Sequence, residues 1–90
     1  MNAPFLTAAT LKITFLTPSH VDVEALIPRR LAAMADEILH DDDGVNTTHT
    51  IVINDSRMSE PGQGDLLAED YEALAYRIPG ATDIETEMTY

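Results

Sequence analysis

The spacing of apolar residues changes period four times along this 90-residue chain, and that switching limits the folds open to it. Thr10 to Thr17 alternates, with Leu11, Ile13 and Phe15 on one face and Thr10, Lys12 and Thr14 on the other, which predicts a half-buried strand. Thr17-Pro18-Ser19 stops it. Ile27, Leu31, Met34, Ala35, Ile38 and Leu39 then recur every three or four residues. That spacing predicts an amphipathic helix starting around Ala25 to Pro28, after a looser turn from Val21, and ending near His40. Pro28 suits the first helical turn, where the amide it lacks would have no partner. Asp41-Asp42-Asp43-Gly44 reads as the turn that closes this helix, with Gly44 as a left-handed cap.

Thr48 to Asn54 is β-branched and predicts a second strand, Ile51 and Ile53 pointing inward. Residues 55–64 hold Ser56, Ser59, Pro61, Gly62 and Gly64 and read as a flexible loop. Asp65 is placed to cap a second helix carried by Leu67, Tyr71, Leu74, Ala75 and Ile78, which Pro79-Gly80 ends. The last run alternates again: Ile84, Met88 and Tyr90 on one face, Asp83, Glu85 and Glu87 on the other. Residues 1–8 carry no such pattern and are expected to be disordered. The expected fold is one α+β domain in the order β-α-β-α-β, with two helices packed on one face of a three-stranded sheet.

Charge is distributed as unevenly as hydropathy is regular. Residues 1–35 carry a formal +1 and residues 36–90 carry −12, giving −11 in all. Charge of that density concerns partners and solvent more than fold. It disfavours direct binding to nucleic acid or to an anionic membrane surface. No stretch reaches the ~18–20 apolar residues needed to span a bilayer. Met1 to Thr10 lacks the basic and apolar regions of a signal peptide, so the expected compartment is the cytoplasm. The absence of cysteine excludes disulfides, a thiolate nucleophile and Cys-ligated metal.

Catalytic patterns fail one by one. Counted as an EF-hand from Asp41, the loop puts Val45, Asn46 and Val52 where an oxygen ligand, a glycine and an acid are needed. Gly62-Gln63-Gly64 lacks the Lys-Ser/Thr of a phosphate loop. His20, His40 and His49 have no metal-type spacing, and Ser19-His20 with Asp22 is too local for a triad. No enzymatic activity and no cofactor are expected.

The acids themselves are the more informative residues. In the expected first helix Arg29 and Arg30 occupy the first turn, while Asp36, Glu37, Asp41, Asp42 and Asp43 crowd the C-terminal end. The helix dipole prefers the reverse by roughly 0.3–1 kcal/mol per charge. On the second helix Asp65, Glu69 and Glu72 lie opposite the core, with Tyr76 projecting among them. These nine residues form the expected partner-binding surface, since an exposed tyrosine ringed by carboxylates suits a protein interface. The row Asp83, Glu85, Glu87 loosely copies a nucleic-acid charge run, and it also protects a sheet edge.

The function that follows is a non-catalytic acidic protein occupying a basic surface on a nucleic-acid-binding protein or nucleoprotein complex. In size, charge and α+β organisation the chain resembles the small acidic inhibitors of phages and mobile elements, including DNA-mimicking anti-CRISPR proteins. That resemblance implies a nuclease, surveillance complex or repressor as target. Two alternatives stand beside it: a small subunit whose acidity suits a high-salt habitat, and a small-ligand or divalent-cation module at the 41–43 turn or the 55–64 loop. A homo-oligomer joined through a strand edge is compatible with each.

Overall fold

Leu11, Ile13 and Phe15 are fully buried, and they put the strand Ala9–Pro18 (β1) at the centre of the molecule. The computed structural model describes residues 9–19, 21–55 and 64–89. After β1 come a 3-10 turn, Val23–Ala25, and a short helix, Arg29–Met34 (α1). Strands Glu37–Asp42 (β2) and Asn46–Asp55 (β3), helix Gly64–Ala75 (α2) and strand Thr82–Thr89 (β4) complete the chain. The strands form one sheet in the order β2-β3-β1-β4, every neighbouring pair antiparallel. The element sequence β-α-β-β-α-β is that of the split β-α-β motif.

The expected three-stranded sheet in β-α-β-α-β order is therefore wrong by one strand. β2 was hidden in the C-terminal half of the helix expected to reach His40. That helix stops at Met34, where Ala35 turns to extended backbone (φ −71°, ψ 127°). Asp36 then anchors the chain to the sheet: its amide donates to the Val52 carbonyl (2.8 Å), and its carboxylate accepts from the Asn54 amide (2.6 Å). Ile38 points at the core whether the segment is a helix or a strand, so apolar spacing does not separate the two. Pairing with β3 decides it.

Gly44 makes the pairing possible. The Asp43 amide bonds the Asn46 carbonyl (3.0 Å), leaving Gly44 and Val45 at the tip of a hairpin, and Gly44 has φ +95°. A glycine with positive φ at the first tip position matches the strand twist of tight hairpins. The Asp-Gly dipeptide thus marks a hairpin, not a helix cap. Nothing lies within 4 Å of the position a Gly44 Cβ would take, so Gly44→Ala meets backbone strain alone. It is expected to cost about 1–2 kcal/mol, read from the urea midpoint; an unchanged midpoint would show that the tip does not need the left-handed conformation.

The core lies between the sheet and its helices. Leu11, Ile13 and Phe15 of β1, Ile51 and Ile53 of β3, Leu31 of α1 and Tyr71 and Ala75 of α2 form one buried cluster, with Val23, Ile27 and Ile78 from the connections. β1, β3 and α2 follow the sequence expectation, and both helices serve this one cluster. In β4, Ile84 and Met88 pack against the cluster while Thr86 donates to Glu72 of α2 (3.2 Å). A register shift opposite Phe15 makes a bulge, with Asp83 at φ +52°. Asp83 therefore leaves the row expected with Glu85 and Glu87. Residues 1–8, His20, residues 56–63 and Tyr90 lie outside the described residues, while Asp55 belongs to β3 and Gly64 to α2.

Candidate functional site

Because side chains alternate across a strand, residues between the buried positions of β1 and β3 form a second sheet face, away from the helices. Registers align them in rows across all four strands. One row runs Glu37, Val52, Lys12, Glu87; the next runs Leu39, Thr50, Thr14, Glu85; a third runs Asp41, Thr48, Leu16, Thr82. The two central strands contribute Val52, Thr50, Thr48, Thr14, Leu16 and Lys12, and Leu39 on β2 is 49% exposed. Carboxylates occupy both outer strands, Glu37 and Asp41 on β2 and Glu85 and Glu87 on β4. Lys12 is the single cation of these rows. With strands spaced about 4.8 Å apart, the two acidic margins stand about 14 Å from each other.

The eight acids and one tyrosine expected as one surface are distributed over two sides of the sheet. Glu37 and Asp41 lie on the open face. Glu69 is exposed on α2, and Tyr76, just beyond its end, is 64% exposed. Glu72 accepts from Thr86 and, with Lys12, Glu85 and Glu87, borders a shallow hollow of about 510 Å³ along β4. Asp65 is in the first turn of α2; its side chain lies outside the described residues.

Three of the expected binding acids are occupied by the fold. Asp36 accepts the Asn54 amide. Asp42 accepts from the Ser19 hydroxyl (2.7 Å) and the Gly44 amide (2.8 Å), and these bonds hold its carboxyl below the usual range. Asp43 accepts from the Asn46 and Val45 amides (2.8 Å each), which lower it likewise. The acidic half of the apparent dipole violation disappears too, because Asp36 lies beyond α1 and the other four acids belong to β2 and its hairpin, while Arg29 and Arg30 remain in the first turn of α1. Among the described residues no group of three or more His, Asp or Glu is arranged to hold a metal.

Sequence spacing missed a second constellation. His40 and His49 face each other directly across β2 and β3, on the helix side. Their Nδ1 atoms are 2.7 Å apart, His49 Nε2 is 2.7 Å from the Thr17 hydroxyl, and His40 Nε2 is 3.8 Å from the Glu24 carboxylate. His49 is 2% exposed and stacks obliquely on Phe15, centroids 5.0 Å apart. The result is a linear chain from exposed carboxylate to buried hydroxyl. In the neutral pair, a proton on His40 Nε2 faces Glu24, His49 Nδ1–H donates to His40, and the Thr17 hydroxyl donates to His49. Burial first, and the neighbouring His40 second, push the His49 pKa down; Glu24 opposes them.

Such a chain resembles a catalytic relay only in its order of groups. Thr17 is 1% exposed, so no substrate reaches its hydroxyl. A single metal cannot use Glu24 together with both facing nitrogens, because Glu24 and His49 approach opposite nitrogens of the His40 ring. The network is a structural clamp joining the 3-10 turn, β2, β3 and β1. The signal for it was the hairpin: a turn at Gly44-Val45 makes 40 and 49 cross-strand partners. No known protein family, curated protein or solved structure matches this chain.

Proposed function

We propose that this protein is a non-catalytic acidic binding module, acting in the cytoplasm, that occupies a basic nucleic-acid-binding surface on another protein. Its sharpest form is an inhibitory decoy that competes with the phosphate backbone, as DNA-mimicking anti-CRISPR inhibitors do. The observation that carries the reading is the sheet face left open by the helices, with carboxylates along both margins. Among the described residues no Lys or Arg forms a salt bridge with Glu37, Asp41, Glu85 or Glu87, and Lys12, across from Glu87, is the one cation set against these four acids. A negative surface of this kind accelerates encounter with a basic partner and repels nucleic acid. Acids on both outer strands also oppose edge-to-edge pairing of two copies.

Affinity capture from native lysate at low salt tests this. A stoichiometric nucleic-acid-binding protein, released by duplex DNA or by salt, is the expected result. No such partner, together with a fold that tightens steadily up to molar salt, would instead assign the acidity to a high-salt habitat. The described residues contain no helix long and apolar enough to cross a membrane.

A further inference from the structure

We infer that the open sheet face docks one basic amphipathic helix of the partner, laid along the strands between the two acidic margins. This rests on the acidic-module reading and names the surface and the element it receives. Width is the first argument. An α-helix with side chains is about 10–12 Å across, and the margins are separated by about 14 Å. A helix therefore lies between them with its flanking lysines and arginines reaching both sides. Spacing along the axis agrees as well. Glu85 and Glu87 are about 6.7 Å apart along β4, and basic residues four apart on a helix are separated by about 6 Å.

The middle of the face supplies the rest of the contact. Leu16 and Val52, with Thr14, Thr48 and Thr50, give a shallow, largely β-branched strip on β1 and β3 in which Lys12 is the one charge, and Leu39 extends it onto β2. Such a strip suits small aliphatic side chains, and it contains no aromatic ring on which a base could stack. Other occupants fit less well. A second copy would bring carboxylate margins against carboxylate margins. An added strand would use a sheet edge and leave the face empty. Covering a partly apolar face with a helix completes a third layer opposite α1 and α2, the ordinary way for a sheet to bury both sides.

Lys12 opposes the docking. It stands beside Glu87 on the inner side of that margin and meets the helix with like charge. Removing its ammonium is expected to tighten binding, an effect in the direction opposite to general damage.

The test uses the isotopically labelled full chain and two synthetic peptides of about 18 residues, about 27 Å as helix, which is the length of β4. One peptide carries an Ala/Leu stripe flanked on both sides by Lys and Arg; the other has the same composition with the stripe scrambled. Backbone amide shifts at low salt are expected to concentrate on Thr14, Thr50, Val52 and Glu85. The patterned peptide is expected to bind about tenfold tighter than the scrambled one. Lys12→Met is expected to bind it about twofold to fivefold tighter still. Equal affinity for both peptides overturns the docked helix and leaves unspecific charge attraction. Shifts confined to Glu69 and Tyr76 overturn the chosen face while the acidic-module reading stands. No binding of either peptide at low salt overturns both.

Discussion

Replacing His49 with alanine is expected to destabilise the fold by about 3 kcal/mol and to remove most of its pH sensitivity between pH 8 and 5. Two losses add. The buried hydroxyl of Thr17 and the Nδ1 of His40 lose their partner, and an unsatisfied buried group costs about 1–3 kcal/mol. A ring in contact with Phe15 also disappears from the core, and the cavity left behind adds to the penalty. A chain of 90 residues has roughly 5–13 kcal/mol of folding stability at typical values per residue. The variant therefore keeps its fold with a melting temperature lower by about 12–24 °C. His49→Phe separates the two losses, since it restores a ring and leaves Thr17 without an acceptor.

The pH effect has a definite sign. With the His49 pKa depressed in the folded state, the unfolded chain binds more protons below its ordinary value near about 6.5. Stability from this group is complete above that pH and is lost as pH falls towards the folded value. Asp42 and Asp43 are depressed as well, and their contribution is lost only in the acid range below ordinary carboxylate values. The two windows are separate, so urea midpoints at pH 8 and pH 5 isolate the histidine. A wild-type midpoint that does not fall between those values would sink the assignment, as would a His49→Ala slope equal to that of wild type.

Much of this architecture can be read along the chain, and the parts that cannot share one cause. β1, β3 and α2 are visible because each buries a face whose period belongs to one kind of element. β2 is not visible, because its inward residue, Ile38, satisfies a helix and a strand equally. Only its partner β3 selects the strand, and Asp43-Gly44 was the local clue. The same hairpin decides the site. Once β2 turns back on β3, His40 meets His49, Asp42 and Asp43 become turn acceptors, and Glu37 and Asp41 move to the open face. None of these pairings follows from spacing in a helix. Likewise, the bulge at Asp83 breaks an alternation that looks continuous in the sequence. Long-range pairing was the missing information, and charge alone could not supply it.

The fate of the outer-strand acids distinguishes a sheet-face site from total charge most sharply. The double replacement Glu85→Lys with Glu87→Lys is expected to weaken binding of the patterned basic peptide on the order of 100-fold while leaving the fold intact. In the three rows of the open face, four carboxylates and one ammonium leave three net negative charges; the replacement leaves one net positive charge. Folding changes little, for a countable reason. Glu85 and Glu87 repel each other by about 0.6 kcal/mol in water, and two lysines at those positions repel equally. At position 87 the attraction to Lys12 is lost and a repulsion replaces it, two small terms on an exposed strand. The matched control, Glu69→Lys with Asp70→Lys, changes total charge by the same amount on the exposed side of α2. If the face is the site, the control weakens binding by no more than about threefold, through the long-range field alone. Equal losses in the two variants would show that total charge, not the sheet face, governs binding, and would overturn the docked helix.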